Sequence, residues 1–204
     1  FFTIIFAIII GLSYSSPANA VLQIDITKGN VNPLPVAIHD LVSEDGETEG
    51  IGNDITRIIS TDLERSGLFK PIDKRAFIQR FGVGQPLNPS FPDWRQIDAQ
   101  ALMLGTIKPQ GNNEIAIEFK LWDILSEKQI AGKSYTTDKE NWRRVAHLVA
   151  DEIYKRLTGE DGYFDSRIVY VAESGPAKRR IKRLAIMDQD GANHKFLTDA
   201  MILC

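Results

Sequence analysis

Arg167-Ile-Val-Tyr-Val-Ala172, Ile181-Lys-Arg-Leu-Ala-Ile-Met187 and His194-Lys-Phe-Leu-Thr198 are three short apolar runs separated by polar stretches. Each reads as a strand, and Asp188-Gln-Asp-Gly-Ala-Asn193 reads as the turn between the last two. Asp190-Gly191 is the kind of pair that a two-residue hairpin turn prefers, because both central positions take positive φ. Three strands and part of a fourth are the content of one β-propeller blade, a sheet that is stable only when stacked on its neighbours. Blades of about 40 residues repeat several times in a propeller. The sequence therefore reads as the front portion of a longer chain.

The opposite end carries an export signature. Phe1 to Leu12 is almost wholly apolar, Ser13, Ser15, Ser16 and Pro17 follow, and Ala18-Asn19-Ala20 gives the small-x-small pattern of a secretory cleavage site. The apolar run is short of the ~20 residues of a permanent membrane helix. It starts without Met or a basic segment, so this end too reads as incomplete. A buried core helix is the alternative, and the Ile run with its Ala-Asn-Ala ending argues against it. On this reading cleavage falls after Ala20, and a soluble exported chain begins at Val21. No Cys follows the cleavage site to carry a lipid.

Composition narrows the class. Of 204 residues, 43% are hydrophobic and 25% charged, an ordinary globular balance. The net charge of −3 is too near neutral for a nucleic-acid binder. Cys204 is the only cysteine, which leaves no intrachain disulfide to form. The length holds one compact domain and the start of another.

The middle reads as a self-sufficient α/β domain. Leu34 to Ile38 is a short strand and Asp40 to Gly50 an acidic loop. Ile51, Ile55, Ile58, Ile59 and Leu63 recur at helical spacing, with Gly67 at the C-terminal cap position. Leu68 to Ile72 is a brief strand, Asp73 caps a short helix to about Arg80, and Asp93 caps another to about Ala99. Phe81 to Pro92, rich in Gly and Pro, is loop. Ala101 to Ile107 is a buried-type strand, and Gly111-Asn112-Asn113 turns the chain. Ile115, Ile117, Phe119 and Leu121 then alternate with more polar neighbours, the period of a half-buried antiparallel strand. Ile124 to Lys128 turns again and Gln129 to Tyr135 returns. Thr137 and Glu140 form a capping box that opens a helix with Trp142, Val145, Ala146, Val149, Ile153 and Leu157 on one face. Gly159 stops it. The expected organisation is a signal peptide (1–20), an N-terminal segment (21–33), an α/β (α+β) domain with a mixed sheet and two main helices (34–158), a linker (159–163) and the first blade of a truncated β-propeller (164–204).

An export signal, a small α/β domain closing on Lys155-Arg-Leu-Thr-Gly159, then Phe164-Asp-Ser-Arg-Ile-Val-Tyr-Val171 and Met187-Asp-Gln-Asp-Gly-Ala-Asn193: this order resembles the TolB family. These are periplasmic propeller proteins of the bacterial Tol–Pal system. The likeness runs from Ala20 to Thr198, and Leu157 to Tyr170 is its more specific part, since the Asp-Gly-Ala-Asn turn is shared by many propeller repeats. The resemblance implies a binding scaffold with no catalysis and no cofactor, acting in outer-membrane integrity and in constriction during cell division. It implies a propeller that docks the lipoprotein Pal, and a mature N-terminus that reaches the inner-membrane protein TolA. In this chain that segment is Val21, Leu22, Gln23, Ile24, Asp25 and Ile26. Its alternation suits strand addition to a partner's sheet edge, and equally the first strand of its own domain. The resemblance implies a segment that is docked at some times and free at others.

Candidate chemistries elsewhere dissolve. His39, His147 and His194 are scattered and no His-Glu-x-x-His pattern occurs, so no zinc site is indicated. His147 falls between the faces of its helix and reads as a partly exposed residue. Gly50-Ile-Gly52 and Gly82-Val-Gly84 lack the third glycine of a dinucleotide loop. Glu114 and Glu118 stand about 13 Å apart along a strand, too far for a glycosidase pair, and read as a solvated face. Ser174-Gly175 sits in no Gly-x-Ser-x-Gly elbow. Lys178, Arg179, Arg180, Lys182 and Arg183 read as solvated strand charges that discourage edge pairing. Glu44, Asp45, Glu47 and Glu49 are too few at calcium-loop spacing for a site. Two other classes stay open: an exported propeller-containing peptidase, and a propeller that binds cell-wall sugar or a small ligand.

Overall fold

The computed structural model describes residues 32–176, 179–199 and 201–202. The predicted signal peptide, its cleavage site at Ala18, Ala20 and Val21, and the segment Val21 to Ile26 lie outside the described residues. The α/β domain is built from β1 (Leu34–Ile38), β2 (Val42–Ser43), α1 (Glu49–Arg65), β3 (Phe69–Pro71), α2 (Phe91–Gln96), β4 (Ala101–Gly111), β5 (Glu114–Asp123), β6 (Lys128–Asp138) and α3 (Trp142–Thr158). Among the described residues no helix is long and apolar enough to cross a membrane.

The sheet is mixed, with order β3-β1-β4-β5-β6. β1 is parallel to both β3 and β4, while β4-β5-β6 form an antiparallel meander. β2 is also parallel to β4, at Thr106 and Ile107. Since β5 occupies the other edge of β4, β1 and β2 lie end to end as one strand broken at Asp40-Leu41. β4 reads as a continuous apolar run because both of its faces are covered. On one face Ile55, Ile59 and Leu63 of α1 and Val149, Ile153 and Leu157 of α3 pack on Met103, Ile107, Ile117 and Phe119. On the other, Trp94 of α2, Phe77 and Ile124 cover Ala37, Leu102 and Leu104. Full burial of one such apolar side chain stabilises by roughly 1.5–3 kcal/mol. Among the described residues β6 has one sheet neighbour, β5, and a largely exposed, polar face.

Several local expectations are corrected. The Thr137–Glu140 capping box does not form: β6 continues through Asp138 because β5 offers ladder partners to Glu114, pairing Thr137 with Ile115. A 3₁₀ turn over Lys139–Asn141 follows, and α3 begins at Trp142 with no side-chain cap. Asp93 lies inside the first turn of α2, where Ser90 occupies the N-cap position without a side-chain cap bond and Pro92 lies near the N-terminus. The helix ends at Gln96, and Asp98 takes φ +59. Asp73 does cap, accepting the Arg75 N–H, but only a 3₁₀ turn over Lys74–Ala76 follows. The acidic stretch is more than loop, since it contains β2 and the start of α1. There Asp45 Oδ1 accepts from Ser43 Oγ, Glu47 N and Thr48 N.

The second sheet holds β7 (Arg167–Ser174), β8 (Ile181–Asp188), β9 (Lys195–Phe196) and β10 (Met201–Ile202). β7 pairs along all of β8, so β9 and β10 both take its other edge. Among the described residues the sheet has four strands, in the order β10-β8-β7 with β9 also on β8, as three strands and part of a fourth require. The turn between β8 and β9 is also longer than a two-residue hairpin. Its positive φ angles fall on Gly191 (+87) and Asn193 (+54), and its closing bonds run from Gly191 N to Asp188 O (2.9 Å) and from Asp188 N to Ala192 O (2.9 Å). Asp190 is held by its side chain, whose Oδ1 accepts the Ala192 N–H. Ile168, Val169, Val171, Phe196 and Leu197 remain exposed on this sheet.

Candidate functional site

The described residues converge on a polar junction where the second sheet meets α1 and α3. Asp62 sits three and four residues after Ile59 and Ile58, within the apolar stripe of α1, and is 1% exposed. His147 sits on α3 and is 2% exposed, which corrects the expectation of a partly exposed residue. The two helices pack side by side and place His147 Nδ1 2.6 Å from Asp62 Oδ2. An ionised carboxylate only accepts, so Nδ1 carries the proton. Asp62 Oδ1 accepts from Arg65 at 2.9 Å and from Gln189 Nε2 at 3.2 Å. Gln189 comes from the turn after β8, and so does Asp190, which pairs with Arg143 on the first turn of α3. His147 Nε2 points at Asp190 Oδ2 from 3.7 Å and has no hydrogen-bond partner among the described residues.

A second clamp lies one turn further along α3. Asp151 accepts the backbone N–H groups of Phe164 (2.7 Å) and Asp165 (3.0 Å). Phe164 is 1% exposed and packs within the α/β core, edge-on to Tyr154. Arg144 pairs with Asp165 at 3.1 Å, and Gln189 N donates to Ser166 O at 3.1 Å. The chain entering β7 and the turn leaving β8 are thus both held on one helix.

The electrostatics follow from these partners. Burial opposes charge on His147, but the Asp62 hydrogen bond and the charges of Asp62 and Asp190 outweigh it and raise its pKa from 6.5. Burial likewise works against the Asp190 carboxylate, yet the Ala192 N–H, Arg143 and His147 hold it below 3.8. For Asp151 burial wins over its two amide donors, and its pKa is raised.

Nε2 of His147 and one oxygen each of Asp188 and Asp190 lie within 4.8 Å of one another, a spacing compatible with a divalent cation. Their existing partners weigh against that use. Arg143 is seated on Asp190, Arg167 stands 3.6 Å from Asp188, and Asn193 Nδ2 donates to Asp188 Oδ2 at 2.5 Å. Guanidinium groups already balance both carboxylates, and the arrangement is an ion-pair network.

Elsewhere, a cleft of about 340 Å³ opens beside His39, Phe77 and Phe81. His39 lies 5.2 Å from the Phe81 ring, and burial depresses its pKa. Lys74 pairs with Asp40, which also accepts from Thr56 Oγ1 at 2.7 Å. Glu114 and Glu118 are exposed, as their reading as a solvated face requires. The basic run is less uniformly solvated. Lys182 pairs with Glu173 at 2.8 Å, and Arg183 lies half-buried over the Phe196 ring at 4.8 Å. The sequence reading missed Asp62, Arg143, His147 and Asp190. Only Asp62 left a signal, as a carboxylate at stripe spacing on an apolar helix face.

Comparison with known proteins fixes the family. The model of the TolB amino-terminal domain matches residues 22–130. The Tol-Pal system protein TolB of Paramagnetospirillum magneticum is 52% identical over 192 residues, which cover 94% of this chain and 43% of that protein. TolB from Acinetobacter baumannii, in its crystal structure, superposes with a TM-score of 0.67 at 26% identity, over 87% of this chain and 41% of that one. The chain spans less than half the length of either relative. It belongs to the TolB amino-terminal domain family.

Proposed function

We propose that this chain is the N-terminal part of a periplasmic scaffold of the Tol–Pal envelope system, exported by the segment that ends at Ala20. The scaffold links the inner-membrane protein TolA to the outer-membrane lipoprotein Pal, and so maintains outer-membrane integrity and supports constriction during division. The carrying observation is 52% identity to a Tol-Pal system protein TolB across 94% of the chain. In this reading TolA is met by Val21, Leu22, Gln23, Ile24, Asp25 and Ile26, and Pal by the propeller to which β7–β10 belong. The task is binding without catalysis and without a cofactor.

The junction suits a scaffold. Asp62, Arg143 and Asp151 tie the second sheet to the helices of the first domain, so a load on one is felt by the other. Coupling between the two partners then requires that their docked states differ in affinity, and linkage makes it reciprocal. The test is calorimetric titration of TolA and of Pal into the natural full-length protein, with and without Val21 to Ile26. Loss of TolA binding with Pal binding retained is the expected result. Unchanged TolA affinity after the deletion overturns the assignment of that segment, and failure to bind either partner overturns the scaffold reading.

A further inference from the structure

Neutral His147 is badly placed. Its single proton sits on Nδ1, given to Asp62, so Nε2 presents a lone pair to the Asp190 carboxylate 3.7 Å away. Among the described residues no donor answers Nε2, and the ring is 2% exposed. Two acceptors facing each other in a buried site repel and stay unsatisfied. A second proton, on Nε2, removes that conflict. It turns the ring into a donor at both nitrogens, with one carboxylate on each side. The gap is long for a direct hydrogen bond, so the doubly protonated ring holds Asp190 as a buried charge pair at 3.7 Å.

The two carboxylates belong to different parts of the fold. Asp62 is on α1 in the first sheet's helical layer, and Asp190 is on the turn of the second sheet. We propose that His147 is a proton-operated clasp between the two sheets: doubly protonated, it bridges Asp62 to Asp190 and holds the β8–β9 turn on α3, and on losing the Nε2 proton it loosens that turn.

The surrounding charges set how strong the clasp is. Asp62 and Arg65 face the ring from α1, Arg143 and Asp151 from α3, Asp165 and Arg167 from the entry to β7, and Asp188 and Asp190 from the turn. Arg143 and Arg65 oppose a charged ring, while Asp62 and Asp190, the carboxylates nearest its nitrogens, favour one. Their balance raises the pKa of His147. Release therefore falls on the alkaline side of the ordinary imidazole range.

The test uses the intact chain. Its readouts are the pH titration of the His147 ring by NMR and the hydrogen-exchange protection of β7 and β8, normalised for the intrinsic pH dependence of exchange. Protection of β7 and β8 should fall several-fold between about pH 5.5 and about pH 8.5, in step with the His147 titration. His147→Gln should abolish that pH dependence. Asp190→Asn, which keeps the imidazole and most of the packing, should lower the His147 pKa and shrink the change. A His147→Gln protein whose hairpin protection keeps the wild-type pH dependence overturns the clasp. So does a ring that fails to titrate across this range, or one that titrates only after chelation of a divalent ion.

Discussion

Asp62 and His147 are 85 residues apart in sequence and 2.6 Å apart across the α1–α3 interface. That bond ties the first long helix of the domain to the last, and Asp62 also accepts from Arg65 and from Gln189 of the second sheet. One buried carboxylate thus satisfies donors from three places in the chain. Asp62→Ala leaves the buried His147 donor and Gln189 without this acceptor, while Arg65 returns to solvent, and should cost about 3 kcal/mol of unfolding free energy. Asp62→Asn keeps the shape and one acceptor and should cost clearly less. Urea unfolding followed by circular dichroism measures both. An alanine variant within about 0.5 kcal/mol of wild type would show that the network carries no net stability.

Phe164 follows the predicted linker, yet its ring is buried in the core of the first domain. Phe196, in the same second sheet, is 49% exposed. Phe164→Ala should therefore destabilise by roughly 3–4 kcal/mol, the range for an excised core aromatic. Phe196→Ala should change little in this chain. Equal effects would mean that Phe164 does not anchor the entry to β7.

How far the sequence reveals this architecture depends on the range of the forces involved. β1, α1, β4, β5 and α3 were legible because periodic apolar residues signal a buried face locally. Gly67 and Gly159 lie at or just beyond their helix ends with left-handed backbone for an equally local reason. The errors came where distant partners decide. Thr137 stays in a strand because Ile115 pairs with it, and the β8–β9 turn departs from its two-residue form where Arg143 grips Asp190. His147 looks half-exposed on its own helix, and only the packing of α1 and of the second sheet buries it. The break between β1 and β2 along β4 was illegible for the same reason, since register belongs to the neighbouring strand.

Two histidines should give the stability profile opposite slopes. The folded pKa of His147 is raised above 6.5, so its contribution is complete below the unfolded value and is lost as pH rises through the folded one. The folded pKa of His39 is lowered by burial, so its contribution is complete above the unfolded value and is lost as pH falls through the folded one. Asp190, held below 3.8, adds a further loss in stronger acid. In urea midpoints taken across pH, His147→Gln should flatten the alkaline limb and His39→Gln the limb just below neutrality. A histidine whose removal leaves both limbs unchanged is not linked to folding.

Gly162 and Gly191 should fail for different reasons when given a methyl group. A Cβ on Gly162 would stand 2.2 Å from Asp151 Oδ1 and 2.5 Å from Asp151 Cα. The second of these is helix backbone, which cannot swing aside as a side chain end can. Relieving it means lifting residues 162–164 off α3, which also breaks the Asp151 bonds to the Phe164 and Asp165 amides. Gly162→Ala should therefore cost about 2–3 kcal/mol and expose Phe164 to solvent. Gly191 has open space around it and φ +87, so Gly191→Ala meets only backbone strain, about 1–2 kcal/mol, with Phe164 still buried. Thermal unfolding ranks the two, and the exchange protection of the Phe164 amide separates them. A Gly162→Ala protein with wild-type stability and a protected Phe164 amide would show that the close approach of the linker to α3 is not what seats the second sheet.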